Sequence, residues 1–451
     1  MKKKKQLAPA SEAREQLRHH VMSMQQTLAS RPAPQAAPLA SNATDFSTLP
    51  GYDELRLYRS IADKFGLHNP YFRVHEGRAG AHSHVGERAV LNFSSYDYLG
   101  LNGHPEVIEA AKAAIDCHGI SASGSRHVAG ERPVHRALEH ALASHYGVED
   151  SVIFVSGYAT NLGVIGQLMG ARDLVIYDAL SHNSIVMGGE LSNAGRRSFA
   201  HNDLDALERI LASARGSYER ALIVVEGLYS MDGDFPDLPR LIDIKNKYRA
   251  WLMVDEAHAL GVLGPHGYGV AEHFGVDPRK VDIWMGTLSK ALAGCGGYIA
   301  GSLELTEYLR LTVGAFVYSV AMPPVIAAAA LKALEILHRE PDRVQALQRN
   351  AERFCSLARA RGLDVGNAAG TAVCPIMVGD SLPAVMLSQR LLDRGINVLP
   401  VTHPAVPAKE SRLRFFLTAT HSDEELSAAV DATAEELAHV RNNMQALYVT
   451  P

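Results

Sequence analysis

Gly286-Thr287-Leu288-Ser289-Lys290-Ala291-Leu292-Ala293-Gly294 sets a single lysine in a turn of small and hydroxyl residues. The apolar run Val281 to Met285 precedes it, and Gly296 and Gly297 follow. A lysine held in a tight, dry turn has its pKa lowered and becomes a nucleophilic amine. Thr287 and Ser289 supply hydroxyls, and Thr287 lies three residues before the amine. An amine able to form a Schiff base, beside a hydroxyl for a phosphate, suits pyridoxal 5′-phosphate (PLP). A surface lysine in a Ser/Thr loop is the competing reading, and this stretch alone leaves both open.

Other stretches carry complementary groups. Val254-Asp255-Glu256-Ala257-His258 places a carboxylate directly after an apolar run. A buried carboxylate is costly unless paired. A protonated pyridine nitrogen is a suitable partner, and Asp255 would keep it charged so that the ring serves as an electron sink. His258, three residues on, is in range of the ring's phenolic oxygen. The alternative for Asp255 is a helix N-cap. His182 closes Tyr177-Asp178-Ala179-Leu180-Ser181-His182, after another apolar run. There it would cover one face of the ring, or else be a packed loop histidine. Ser156-Gly157-Tyr158-Ala159-Thr160-Asn161 opens a helix after a strand, so its N–H groups and dipole make a phosphate seat. Ser230, in the polar loop Glu226 to Asp234, could bond the ring oxygen or serve only in turn chemistry.

These residues need elements to position them. From about residue 150, apolar runs alternate with helical stretches. The expected strands are Ser151 to Val155, Leu174 to Tyr177, Arg197 to Ala200, Ala221 to Val225, Ala250 to Val254, Val281 to Trp284 and Tyr298 to Ala300. Near-continuous Val, Ile and Leu runs belong to strands buried on both faces. Alternation with helices predicts an α/β fold with a mostly parallel central sheet. Ligands then bind at the carboxyl ends of the strands, where Gly157, His182, Ser230, Asp255 and Lys290 all fall.

Upstream, Tyr52 to Phe65 reads as a helix, Asn69 to Val74 as a strand, and Ser121 to Gly130 as a loop of small residues. Pro323-Pro324 marks a break before an Ala- and Leu-rich helix to about His338. The remainder reads as a smaller C-terminal α+β domain. The expected organisation is a tail and linker over 1–45, an N-terminal segment over 46–100, a large domain over 101–325, and a linking helix with the small domain over 326–451. Within the tail, Leu17, Val21, Met24 and Leu28 make a narrow stripe on a helix over Ser11 to Ser30. That helix is either a frayed tail or a docking element; Arg31 to Pro38 reads as an extended linker.

The 451 residues suffice for two or three packed units. A formal net charge of −5 gives no basic field for nucleic acid. Cys117, Cys295, Cys355 and Cys374 lack metal-like spacing and read as reduced thiols in a cytoplasmic protein. No apolar run is long enough to span a bilayer, and no apolar segment of a signal peptide follows Lys2 to Lys5.

Taken together, the motifs resemble the α-oxoamine synthase family: 8-amino-7-oxononanoate synthase, 2-amino-3-ketobutyrate CoA ligase, 5-aminolevulinate synthase and serine palmitoyltransferase. The resemblance runs from about Asn69 to His421. It rests on Asn92 to Leu101 (Asn-Phe-Ser-Ser-Tyr-Asp-Tyr-Leu-Gly-Leu), Ser156 to Asn161, Leu180 to Ser184, Glu226 to Asp234, Val254 to His258, Gly286 to Lys290 and Arg412-Leu-Arg414. It implies a PLP-dependent transferase of fold type I, a homodimer with active sites at the subunit interface. By it, Lys290 is the Schiff-base lysine, His182 stacks on the ring, and Asp255 pairs with the pyridine nitrogen. Ser230 and His258 contact the phenolic oxygen, Gly157, Tyr158 and Thr287 hold the phosphate, and Arg414 binds the amino acid carboxylate. The implied reaction is decarboxylative condensation. Lys290 removes the Cα proton of a small amino acid, the carbanion attacks an acyl thioester and expels the thiol, and an α-amino ketone results. His182 would help polarise the thioester carbonyl.

This chain departs from the family pattern in three places. Tyr96 stands where the oxononanoate and aminolevulinate synthases carry Asn and the palmitoyltransferases carry Tyr. Val320 and Ala321 replace two hydroxyl positions of a motif that reaches the partner subunit's phosphate, leaving Ser319. Thr402 to Pro407 lacks an arginine that the oxononanoate synthases carry at its start, leaving Arg414 to act alone. The acyl donor is coenzyme A or an acyl carrier protein, and the tail would suit the latter. A PLP aminotransferase of the same fold and a non-catalytic partner subunit are the alternatives. The Ser-Tyr-Asp-Tyr-Leu-Gly motif argues against the first, and Lys290, Asp255 and His182 together argue against the second.

Overall fold

In the computed structural model, which describes residues 44–49, 51–64 and 66–449, the alternating apolar runs become a layered α/β molecule. The expected tail helix and linker lie outside the described residues. Residues 44–66 belong to one unit, in which Asp45 caps a short 3₁₀ turn and Tyr52–Lys64 is a helix. The second unit begins at Leu67.

Its first strands, β1 (His75–Glu76), β2 (His82–Val85) and β3 (Arg88–Asn92), form a meander. The strand expected over Asn69 to Val74 is absent. Pro70 donates no hydrogen bond, the Asn69 side chain accepts from the Tyr71 N–H at 2.9 Å, and Phe72 adopts φ 60°. A turn wins locally over a ladder. The expected small-residue loop contains a π-helical turn at Arg126–Gly130.

The central sheet has seven strands: β4 (Asp150–Phe154), β5 (Leu174–Asp178), β6 (Gly195–Phe199), β7 (Ala221–Glu226), β8 (Trp251–Asp255), β9 (Ile283–Thr287) and β10 (Gly297–Gly301). Their order is β4-β10-β9-β8-β7-β5-β6, parallel except for β10, which runs against both neighbours. Every residue of β4, β7, β9 and β10 is buried. Alternate residues serve opposite faces, as the strand period requires. Ile223, Val225, Leu252, Val254 and Trp284 join one core cluster. Leu222, Val224, Met253, Ile283 and Met285 join the other. At one edge, Arg196, Arg197 and Ser198 of β6 are exposed, which discourages further strand pairing.

Beyond helix Pro324–Arg339 comes helix Pro341–Ala360, which the sequence reading did not single out. Its Val344, Leu347, Ala351, Phe354 and Ala358 fall at helical spacing and are buried. The C-terminal sheet pairs β11 (Val373–Gly379) with β14 (Ser411–Phe416) and β14 with β13 (Leu399–Val401), all antiparallel. Between them, β12 (Ile396–Asn397) leaves that sheet and runs parallel to β3. The long helix Asp423–Val449 closes the chain.

Candidate active site

The site assembles where β4, β5, β7, β8 and β9 end. After β4, Ser156 caps helix Gly157–Leu168, its Oγ accepting from the Ala159 N–H. Gly157 meets the end of β9 so closely that a Cβ there would lie 2.9 Å from Thr287 Oγ1. Only glycine lets the helix start against that strand. The Thr287 hydroxyl donates to the Gly296 carbonyl at 2.8 Å, so Ser289 donates to Thr287, also at 2.8 Å. Thr287 is thus the last residue of β9 and not part of the turn. The result is a helix N-terminus, with its free first-turn N–H groups, against two hydroxyls. Tyr158 is half-exposed and donates its hydroxyl to Asn183 Oδ1 at 2.8 Å; its ring stands edge-on to His182, 6.2 Å away.

His182 follows β5 and caps helix Asn183–Leu191. Its backbone N–H donates to Glu226 Oε1 at 2.6 Å, and its Nδ1 lies 2.7 Å from Ser184 Oγ. Burial lowers its pKa against the pull of Asp255, and the Lys290 and Arg414 charges push the same way as burial.

Asp255, 4% exposed, ends β8. Its Oδ1 accepts from the Ala257 N–H at 2.9 Å and its Oδ2 from Asn161 Nδ2 at 2.8 Å. No helix starts at Asp255, which removes the N-cap alternative. His258 Nδ1 is 2.7 Å from the hydroxyl of Tyr98. Burial drives the His258 pKa well down and the Tyr98 pKa well up, so both stay neutral.

Lys290 Nζ lies 5.7 Å from the centroid of the Tyr96 ring, and among the described residues no carboxylate is within ion-pair distance. Burial brings its pKa down to about 8, opposed by Asp255 and Glu226 and helped by Arg414. Arg414, on β14, donates to the Ser230 carbonyl at 3.0 Å and the Tyr96 hydroxyl at 3.4 Å, while its buried Nε has no partner. Its neighbour but one, Arg412, is instead sealed against Asp232 at 2.8 Å. A cavity of about 530 Å³, lined by Lys290, Tyr96, Ser94, Asn102, Arg73 and Phe72 among others, opens beside the amine.

The charges of Lys290, Arg414 and Asp255 reach His182, and those of Lys290, Arg414 and His182 reach His258, so these five groups are neighbours; Tyr158 stands beside His182, Gly157 against Thr287, and buried Ser230 accepts from Arg414. Ser319 is half-buried between exposed Tyr318 and Val320. Four contributors escaped the sequence reading as site members: Glu226, Asn161, Ser184 and Tyr98. Glu226 had a visible signal, a carboxylate ending an apolar strand as Asp255 does; burial, and then Asp255, raise its pKa to about 8. Asn161 and Tyr98 act across elements, where spacing reveals no contact, while Ser184 bonds His182 only two residues away and Asn161 across elements.

These groups fit PLP. The buried carboxylate matches a cationic ring nitrogen, the glycine-started helix matches a phosphate, and the amine with depressed pKa matches an aldehyde.

Comparison with known proteins agrees. The model of the "Aminotransferase class I and II" family matches residues 88–432. The chain is 38% identical to 8-amino-7-oxononanoate synthase from Symbiobacterium thermophilum, over 87% of this chain and 97% of that protein. It is 39% identical to serine palmitoyltransferase from Sphingobacterium spiritivorum, over 80% of this chain and 90% of that protein. Among solved structures, serine palmitoyltransferase from S. paucimobilis with bound PLP-myriocin aldimine superposes with a TM-score of 0.84 at 30% identity, covering 87% of this chain and 99% of that one. The fold is PLP-dependent transferase fold type I, the cofactor is PLP, and the chain belongs to the class I and II aminotransferase family and, within it, to the α-oxoamine synthases.

Proposed function

We propose that this protein condenses a small amino acid with an acyl thioester, with loss of carbon dioxide, to give an α-amino ketone. One observation carries the reading: a buried amine of depressed pKa, beside an open cavity, feels the charge of a guanidinium that retains an unpaired buried donor. Bound PLP supplies an electron sink for a carbanion at the amino acid Cα. Lys290 would hold the cofactor's aldehyde carbon until the amino acid's amine displaces it, and its freed Nζ would then accept the Cα proton. Asp255 holds the ring nitrogen protonated, His182 covers the ring, and His258 with Ser230 binds the phenolic oxygen. Gly157, Tyr158 and Thr287 seat the phosphate. Arg414, steadied by Tyr96, grips the substrate carboxylate with a planar fork suited to it. The cavity beside Lys290 gives the thioester room, and burial excludes water from the proton transfer.

The same reading makes the protein a cytoplasmic homodimer whose sites lie at the subunit interface, with coenzyme A or an acyl carrier protein as the thiol. Tyr96 leans the chain towards the palmitoyltransferase side of its family. No helix among the described residues is long and apolar enough to cross a membrane. The test is to supply glycine, alanine or serine with an acyl-CoA or an acyl carrier protein, and to follow thiol and carbon dioxide release. One amino acid should release both in equal amounts. Pyridoxamine phosphate formed from the amino acid alone would instead favour an aminotransferase.

A further inference from the structure

We propose that Asn161 and Ser184 are positioning residues that hold His182 as the tautomer protonated on Nε2, and that they tie this choice to the charge on Asp255. The inference rests on the condensation reading only for its catalytic consequence; the proton placement stands on geometry.

The argument is one of hydrogen accounting. An ionised Asp255 can only accept, so the Asn161 amide must turn its Nδ2 towards it. That nitrogen donates one hydrogen to Asp255 Oδ2 at 2.8 Å and the other to Ser184 Oγ at 3.0 Å. Ser184 Oγ, already accepting, spends its single hydrogen on His182 Nδ1 at 2.7 Å. The Ser184 backbone N–H also approaches Nδ1, at 3.3 Å. Nδ1 therefore accepts, and the imidazole proton sits on Nε2.

Burial makes the chain of bonds decisive. Asn161 is 1% exposed and Ser184 is fully buried, so neither trades its partner for bulk water. Asn161 Oδ1 has no partner at all, so nothing on that side fixes the amide. Its orientation is set by the carboxylate it faces. A donor at Nε2 is what His182 needs to bond an oxygen that becomes negative during acyl transfer. The carboxylate that keeps the ring nitrogen charged thus also places the proton on the imidazole above the ring.

The experiment uses holoenzyme labelled with ¹⁵N-histidine, with His182→Gln to assign the resonance. Wild type should show an unprotonated Nδ1 and a protonated Nε2. Asn161→Asp is nearly isosteric but removes the donor towards Ser184, whose hydroxyl then turns to position 161; with only the longer 3.3 Å Ser184 N–H contact left to hold Nδ1 as an acceptor, part of the His182 population should carry its proton on Nδ1. Ser184→Ala should give a mixture of tautomers, and Ser184→Thr, which keeps the hydroxyl, should restore the wild-type pattern. With each tautomer change kcat should fall about tenfold, with the amino acid KM little changed. A wild-type His182 protonated on Nδ1, or a folded Asn161→Asp protein with the wild-type nitrogen pattern, overturns the proposal. A protein that shows the expected nitrogen pattern but forms no condensation product overturns the function proposal and leaves this one standing.

Discussion

Two charged clusters flank the central sheet and solve burial differently. Around β4, the fully buried Glu139 takes Arg126, Arg136 and Arg310 on its oxygens together with the Ile153 N–H at 3.1 Å. Asp150 beside it takes Arg310, Arg136 and the Thr306 hydroxyl. Both carboxylates are matched by guanidinium groups. At the carboxyl ends of β5 and β7 to β9, by contrast, Lys290 has no ion pair and Arg414 Nε no partner among the described residues, and Glu226 and Lys290 are both drawn to pKa values near 8. Matched charge builds a scaffold, whereas valence left open in a dry cleft is available to a cofactor and substrate.

The largest test of that contrast is Lys290→Ala. Turnover should drop about 10⁴-fold or more, with loss of the visible band of the bound cofactor and little change in thermal midpoint. Next comes Glu139→Ala, which removes the buried carboxylate that three guanidinium groups share and leaves Arg126 with Glu131 alone and Arg310 with Asp150 alone. It should cost about 3–5 kcal/mol of stability, read by thermal or urea unfolding, while molecules that remain folded in the cold keep their activity. If the two variants exchanged these phenotypes, the division between scaffold and site would be wrong. The smallest effect concerns pH. Burial makes Lys290 lose its proton near pH 8, where the unfolded chain would hold it to about 10.5. Between those values the unfolded state binds more protons, so this residue's contribution to stability rises with pH. The free amine fraction grows about fivefold from pH 7 to 8 for such a group. PLP uptake by the apoprotein should accelerate by that factor and level off above pH 9, and a rate flat across this range would place the lysine in water.

What could be read beforehand follows a physical rule. Strands β4, β5, β7 and β8 are continuous apolar runs because both faces are covered, and that pattern survives in one dimension. Asp255, His182 and Gly157 were visible because each follows such a run. Strand β9 was expected to begin two residues and end three residues early; Gly286 is of a type depleted in strands, and it and Thr287 are held there by pairing with β10. Asn161 bridging Ser184 and Asp255, and Tyr98 meeting His258, join residues 23, 94 and 160 positions apart. Such contacts exist only once the sheet has ordered its strands.

One small pairing has a wider effect. Because β12 lies beside β3, with Asn397 bonded to Asn92 at 2.9 Å, the stretch that carries Tyr96 is stitched to the chain's last third. Phe93 adds to the seam by packing on Phe354, Phe415 and His421. A polypeptide cut at Pro323-Pro324 would therefore not release an independent catalytic half. Its early segment would be left with a raw edge and an uncovered aromatic.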